Sequence, residues 1–228
     1  MRDERGFTII ELMITTAVGI GLMLSVFTII DISMNNSASV AARVDANQRA
    51  RPVMQRLMDE LHSACLAANS APVLAGSTES SISFQHQTGS AVTPVPEKHV
   101  VTLTGDTLSQ SEYPRNGGTP PDWTFSGTAS STRQLLAGVS QAELDPGGIV
   151  PVFRYYGDSG GTVSTTPLPV PLIETNAKQV VQVTVAFAVE ADSAAMGEDD
   201  EVVSLTDSAV FRFSPFSEDP TKVNGPCA

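Results

Sequence analysis

Residues 6–30 read GFTIIELMITTAVGIGLMLSVFTII, and from Leu12 to Ile30 the stretch carries no charged side chain. A helix needs about 20 apolar residues to cross the hydrocarbon of a bilayer, so this stretch predicts a transmembrane helix. Arg2 and Arg5 precede it. Orientation follows flanking basic residues, so they place the N-terminus in the cytoplasm and the remainder outside, although Asp3 and Glu4 balance their charge. A secretory signal would have a shorter apolar core ending in small residues at a cleavage site. Here no A-x-A site is evident and the apolar run leads into more helical pattern. Glu11 stands at the membrane boundary, where a carboxylate is costly unless it meets a positive partner.

Beyond Asp31 the pattern stays helical to about Ala68. Val53, Leu57, Leu61 and Cys65 recur on one face, which predicts a stripe packed on a folded head. Arg43, Arg49, Arg51, Arg56, Asp45, Asp59 and Glu60 supply a solvated face. Gly19 and Gly21 loosen the apolar half. Pro52 removes one helical hydrogen bond and predicts a kink or interruption just before it.

The head has the signals of short strands between turn residues: Ser81–Gln85, His99–Thr104, Thr107–Ser111 after a Gly105-Asp106 turn, Val152–Tyr156 and Gln179–Val189. In the last, Val181, Val183, Val185, Phe187 and Val189 alternate with smaller or polar residues, giving one apolar face for the helix to cover. Residues 202–213 are its expected antiparallel partner. The Pro94-Val95-Pro96, Gly117–Pro121 and Pro167–Pro171 segments read as loops or extended linkers. The fold class is therefore α+β: one long N-terminal helix, half in the membrane and half against the head, with a mainly antiparallel sheet.

The 228 residues are 41% hydrophobic, enough for a proper core, and carry a formal net charge of −12. The excess acid lies after residue 68, which disfavours direct nucleic-acid binding. Cys65 and Cys227 lie at opposite ends of the head. Export makes a disulfide between them the first expectation, with two unpaired structural thiols as the alternative. His62, His86 and His99 show no metal-ligand or catalytic spacing and read as surface or edge residues. Glu190, Asp192, Glu198, Asp199, Asp200 and Glu201 could gather oxygens for Ca²⁺, but fit no EF-hand loop and read as a solvated turn. Gly157-Asp158-Ser159-Gly160-Gly161 lacks the partners of a serine protease and reads as a hairpin turn. Trp123, Phe125, Tyr155 and Tyr156 are assigned to the core. No convergent site remains, so the chain is read as no enzyme, without metal or cofactor.

The heptapeptide Gly6-Phe7-Thr8-Ile9-Ile10-Glu11-Leu12 resembles the cleavage and methylation motif of type IV prepilins and type II secretion pseudopilins. In that family a membrane-embedded aspartyl peptidase cuts after the glycine and methylates the new amino terminus. The resemblance implies cleavage between Gly6 and Phe7, N-methylation of Phe7, and a filament-assembly role for Glu11. It implies a leader at 1–6, a transmembrane helix at 7–34, an outer helix half at 35–68 and a β-rich head at 69–228. The head size and the Phe153-Arg154-Tyr155-Tyr156-Gly157 segment are loosely similar to minor subunits of the J type. Thr28 departs from the family, where many major pilins carry a proline.

The implied function is a minor pilin or pseudopilin of a pilus-like or secretion filament. Its implied partners are other pilin or pseudopilin subunits, prepilin peptidase, the inner-membrane assembly machinery and membrane lipid. The implied location is the inner membrane with an exported head, then a periplasmic or extracellular filament. The alternative is a membrane-tethered binding protein, a glycan or Ca²⁺-dependent adhesin that uses the signal for export only.

Overall fold

A computed structural model of the chain describes residues 8–64, 71–90, 93–119, 122–144, 148–191 and 202–211. One helix, α1 (Ile9–His62), runs for 54 residues, about 81 Å at 1.5 Å per residue. It is the only described helix long and apolar enough to cross a membrane, and its most apolar 18-residue window has a mean hydropathy of 2.2 and no buried residue. Hydroxyls within this half are satisfied by the helix itself. Thr15 Oγ1 donates to the Glu11 carbonyl at 2.9 Å, Thr16 Oγ1 to Leu12 at 2.7 Å, Ser25 Oγ to Leu22 at 2.8 Å and Thr28 Oγ1 to Leu24 at 2.9 Å. Such bonds let polar side chains lie in hydrocarbon without orphaned donors.

The helix passes through Pro52 without a break, so of the expected kink or interruption, the interruption does not occur. Pro52 and Gln48 are both exposed, so the missing bond falls on the face of the helix away from the core, where water can satisfy a freed carbonyl. The helix ends at His62, where the Ser63 N–H caps onto the Asp59 and Leu61 carbonyls. The expectation ran to about Ala68, of which residues 65–70 lie outside the described ones.

The head has two main antiparallel sheets. In the first, β1 (Ser81–Ser90), β2 (Thr93–Thr104), β3 (Thr107–Thr119) and β4 (Asp122–Phe125) lie in order, and β5 (Ser131–Ala137) also pairs with β3. Pro94 and Pro96, expected in a loop, lie in β2 opposite Gly89 and Gln87. Gly117, Gly118 and Thr119 likewise continue β3 against β4. Pro120 and Pro121 lie outside the described residues. The expected strands were too short because Pro and Gly mark breaks locally, while pairing with a neighbour carries the ladder past them.

The second sheet joins β6 (Val139–Gln141), β9 (Phe153–Asp158), β10 (Val163–Pro167), β11 (Val180–Glu190) and β12 (Val202–Val210). A small ribbon pairs β7 (Glu143–Leu144) with β8 (Gly148–Ile149), and a single turn, α2 (Glu174–Ala177), precedes β11. β12 pairs antiparallel with β11 from Gln182↔Val210 to Glu190↔Val202, the partnership the alternation predicts. β11 does not present only one apolar face: Val183 to Val189 are all buried, and Val181 is half-buried. β11 is the central strand, flanked by β12 on one edge and by β9 and β6 on the other. Its second face carries the small Ala186 and Ala188 and a Thr184 hydroxyl bonded to Ser208.

The outer half of α1 closes the core. Ala46, Ala50, Met54, Leu57, Met58 and Leu61 are buried at helical spacing. They meet Ile82, Phe84, Val101, Leu108, Leu136, Phe153, Tyr155, Val183, Val185 and Phe187 of the strands. The stripe is wider than expected, and Val53 sits at its half-buried margin. The helix packs mainly on β12 and reaches β11, β5 and β1. The alanines at its start allow close approach to the sheet, and the larger side chains fill the deeper space further on.

Candidate functional site

Thr8 is the N-cap of α1, with extended backbone (φ −79°, ψ 149°), and its Oγ1 accepts the Glu11 N–H at 3.3 Å. Thr8-Ile9-Ile10-Glu11 therefore has the spacing of a capping box, with Glu11 at the third helical position. The carboxylate also sits on the positive end of the helix dipole. This capping role escaped the sequence reading, although T-x-x-E before an apolar run is its signature. Gly6 and Phe7 lie outside the described residues.

Beyond Glu11 the helix presents apolar side chains all round. Met13 is 68% exposed, Met23 77% and Phe27 70%, and Gly19 leaves a shallow notch beside Thr16, Ile20, Met23 and Phe27. An added Cβ at Gly19 or Gly21 would meet no neighbour within 4 Å. The described head covers none of this surface.

Cys65 and Cys227 also lie outside the described residues. The chain just before Cys65 is fixed, since Ala64 is 1% exposed and bridges to His86 of β1. A bond to Cys227 would enclose nearly the whole head and stabilise it by about 4 to 5 kcal/mol in the chain-entropy description. Non-reducing peptide mapping is expected to yield one linked pair of peptides containing both cysteines. Two thiols freely alkylated before reduction would contradict it.

Of the residues set aside by sequence, Glu190 is exposed and the rest of the acidic run lies outside the described residues. Among the described residues no group of three His, Cys, Asp or Glu could hold a metal ion. The β9–β10 turn lies at 159–162, with Gly157 and Asp158 ending β9. The Gly161 N–H donates to Asp158 Oδ1 at 3.0 Å, and Gly160 (φ 65°) and Gly161 (φ 88°) take the left-handed backbone that favours glycine. Tyr155 is fully buried and donates to the Thr78 carbonyl at 2.9 Å. Trp123, Phe125 and Tyr156, assigned to the core, are only half-buried. Trp123 lies on β4, with the Arg115 guanidinium 4.6 Å over its ring.

A second correction concerns His99, expected at a surface or edge but 4% exposed. It belongs to a polar cluster that fastens the last turns of α1 to the first sheet. Glu60 Oε1 accepts from Arg56 Nε at 3.0 Å and from a terminal nitrogen of Arg133 at 3.2 Å. Glu60 Oε2 accepts from Gln110 Nε2 at 2.6 Å and lies 3.2 Å from His99 Nδ1. Burial by itself raises the Glu60 carboxyl, but hydrogen bonds from His99, Arg56 and Gln110 and the charge of His99 outweigh it and hold the group at about 2. Gln110 and Arg133 are direct partners on neighbouring strands; Gln110 is fully buried and Arg133 half-buried, a difference that strand alternation in the sequence does not announce. His62 is exposed and His86 half-buried, with His86 Nδ1 3.2 Å from Ser63 Oγ.

The chain matches no protein-family model and no curated protein.

Proposed function

We propose that the chain is a minor pilin or pseudopilin, cut after Gly6 by a prepilin peptidase and assembled into a filament through α1. The observation that carries this reading is the start of the helix. Its N-cap lies two residues past Gly6, Glu11 stands in its first turn, and the uncharged run from Leu12 to Ile30 exposes apolar side chains on every side. Such a surface is stable only in lipid or against other helices. A helix that leaves the membrane for a filament core exchanges one apolar setting for the other, and the notch at Gly19 offers the small-residue approach that such packing favours.

A buried ammonium at the new amino terminus of Phe7 then needs a counter-charge, and Glu11 of a neighbouring subunit provides it. The head, locked to the outer half of the helix, is carried to the filament surface. Shearing of surface or periplasmic filaments from cells that express the assembly machinery tests the reading. The chain is expected in the sheared fraction with other pilin-like subunits, at low copy. A chain found wholly in the membrane fraction while other subunits shear off contradicts assembly and favours a tethered binding protein.

A further inference from the structure

We propose that His99 is a proton-operated lock between α1 and the first sheet: protonated, it bridges Glu60 of the helix and Glu97 of β2, and neutral, it leaves Glu97 unengaged. The Gln110 amide fixes the neutral arrangement. Its Oε1 accepts from Arg133 at 2.5 Å, so its nitrogen faces both Glu60 Oε2 at 2.6 Å and His99 Nδ1 at 2.8 Å. With one N–H donated to each, Nδ1 of neutral His99 is an acceptor and the ring proton sits on Nε2.

That Nε2 is buried without a hydrogen-bond partner. Glu97 Oε2 lies 3.8 Å from it, beyond hydrogen-bond reach. A second proton, on Nδ1, ends the bond that nitrogen accepts from Gln110 and turns it into a donor toward Glu60, with the Gln110 amide keeping its bond to Glu60; the imidazolium charge then draws Glu97 across the gap. The Glu97 side chain is 26% exposed and has room to move, whereas His99 is wedged between the rings of Phe84 at 5.6 Å and His86 at 5.0 Å.

The charged and titratable groups around the ring come from every element packed there. α1 supplies Glu60 and Arg56, β1 supplies His86, β2 supplies Glu97, β3 supplies Glu112 and β5 supplies Arg133. Two carboxylates, Glu60 and Glu97, lie at the two ring nitrogens, while Glu112, the cross-strand partner of His99, accepts from Ser131 Oγ. Burial first, and then the charge of His99, push His86 below its ordinary range. Glu60 belongs to the helix and Glu97 to the sheet, so the protonated ring ties the two together and stiffens the joint in mild acid.

A double-mutant cycle of His99→Gln and Glu97→Gln in the full-length chain, held in detergent, tests the lock by thermal unfolding at about pH 8 and about pH 5.5, the range in which imidazoles change charge. Coupling between the two positions is expected at the lower pH and not at the higher. Equal coupling at both, or none at either, overturns the proposal. If His99→Gln does not fold, Glu97→Gln decides alone: it should lower the melting temperature relative to wild type only in acid. Amide exchange at residues 56–62 should then slow on acidification, beyond the intrinsic pH effect, in wild type and not in Glu97→Gln. Identical behaviour of the two chains overturns the proposal.

Discussion

Glu11→Ala is expected to leave the chain cleaved after Gly6 but absent from filaments. In the proposed function the peptidase would act on the segment around Gly6, whereas the carboxylate would be needed later, when the ammonium of Phe7 moves out of reach of water. Removing one partner of a buried ion pair costs about 3 to 5 kcal/mol, at least about a hundredfold in the assembly equilibrium. The Thr8 cap introduces a second role for the residue, and Glu11→Gln separates the two. Glutamine keeps the length and polarity of a capping-box side chain but carries no charge, so both variants should be missing from sheared filaments. Wild-type incorporation of Glu11→Gln would mean that Glu11 serves the helix end rather than the subunit contact.

Glu60→Ala is expected to loosen the head from its stem. The substitution removes the acceptor shared by Arg56, Arg133, Gln110 and His99, and leaves Arg133 partly buried without its carboxylate. Loss of one partner from a fully buried pair costs about 3 to 5 kcal/mol. The Glu60 side chain is 13% exposed, so about 2 to 4 kcal/mol is expected, a fall of roughly 5 to 15 °C in melting temperature for a head of this size.

The same group sets the response to strong acid. Its carboxyl titrates at about 2 in the folded chain against an ordinary 4.5. The stability it contributes is therefore complete above about pH 4.5 and is lost as pH falls toward about 2. Unfolding measured across that window should show a steeper loss in wild type than in Glu60→Ala. Parallel curves would mean that Glu60 is not held by its neighbours as the geometry indicates.

The long helix was legible because nothing local opposes it: an uncharged run of bilayer length needs no partner to reveal its period. The hairpins at Gly105-Asp106 and residues 159–162, and the pairing of β11 with β12, were legible for a similar reason, since turn residues flank clear alternation. Pro94, Pro96 and Gly117 misled because a strand's neighbours, not its own residues, decide whether the ladder continues.

The cluster around Glu60 stayed hidden because it joins Glu60 to strand residues 39 to 73 positions away, and polar residues in a strand read as solvent-facing until the opposite face is known. His99 is the sharpest case. With Lys98 before it and Val100 after it, the residue gives no local sign of which way its ring points. At the helix start, Glu11 was legible as an anomaly of charge, and Thr8 as its cap was not, because both roles use the same few residues.

The most direct test of the account is the intact mass of the chain purified from native membranes of peptidase-positive cells. The predicted mass lacks residues 1–6 and carries one added methyl group, which fragment ions place on the amino group of Phe7. Recovery of only the full-length, unmethylated chain would contradict the prepilin reading and, with it, the assembly role of Glu11.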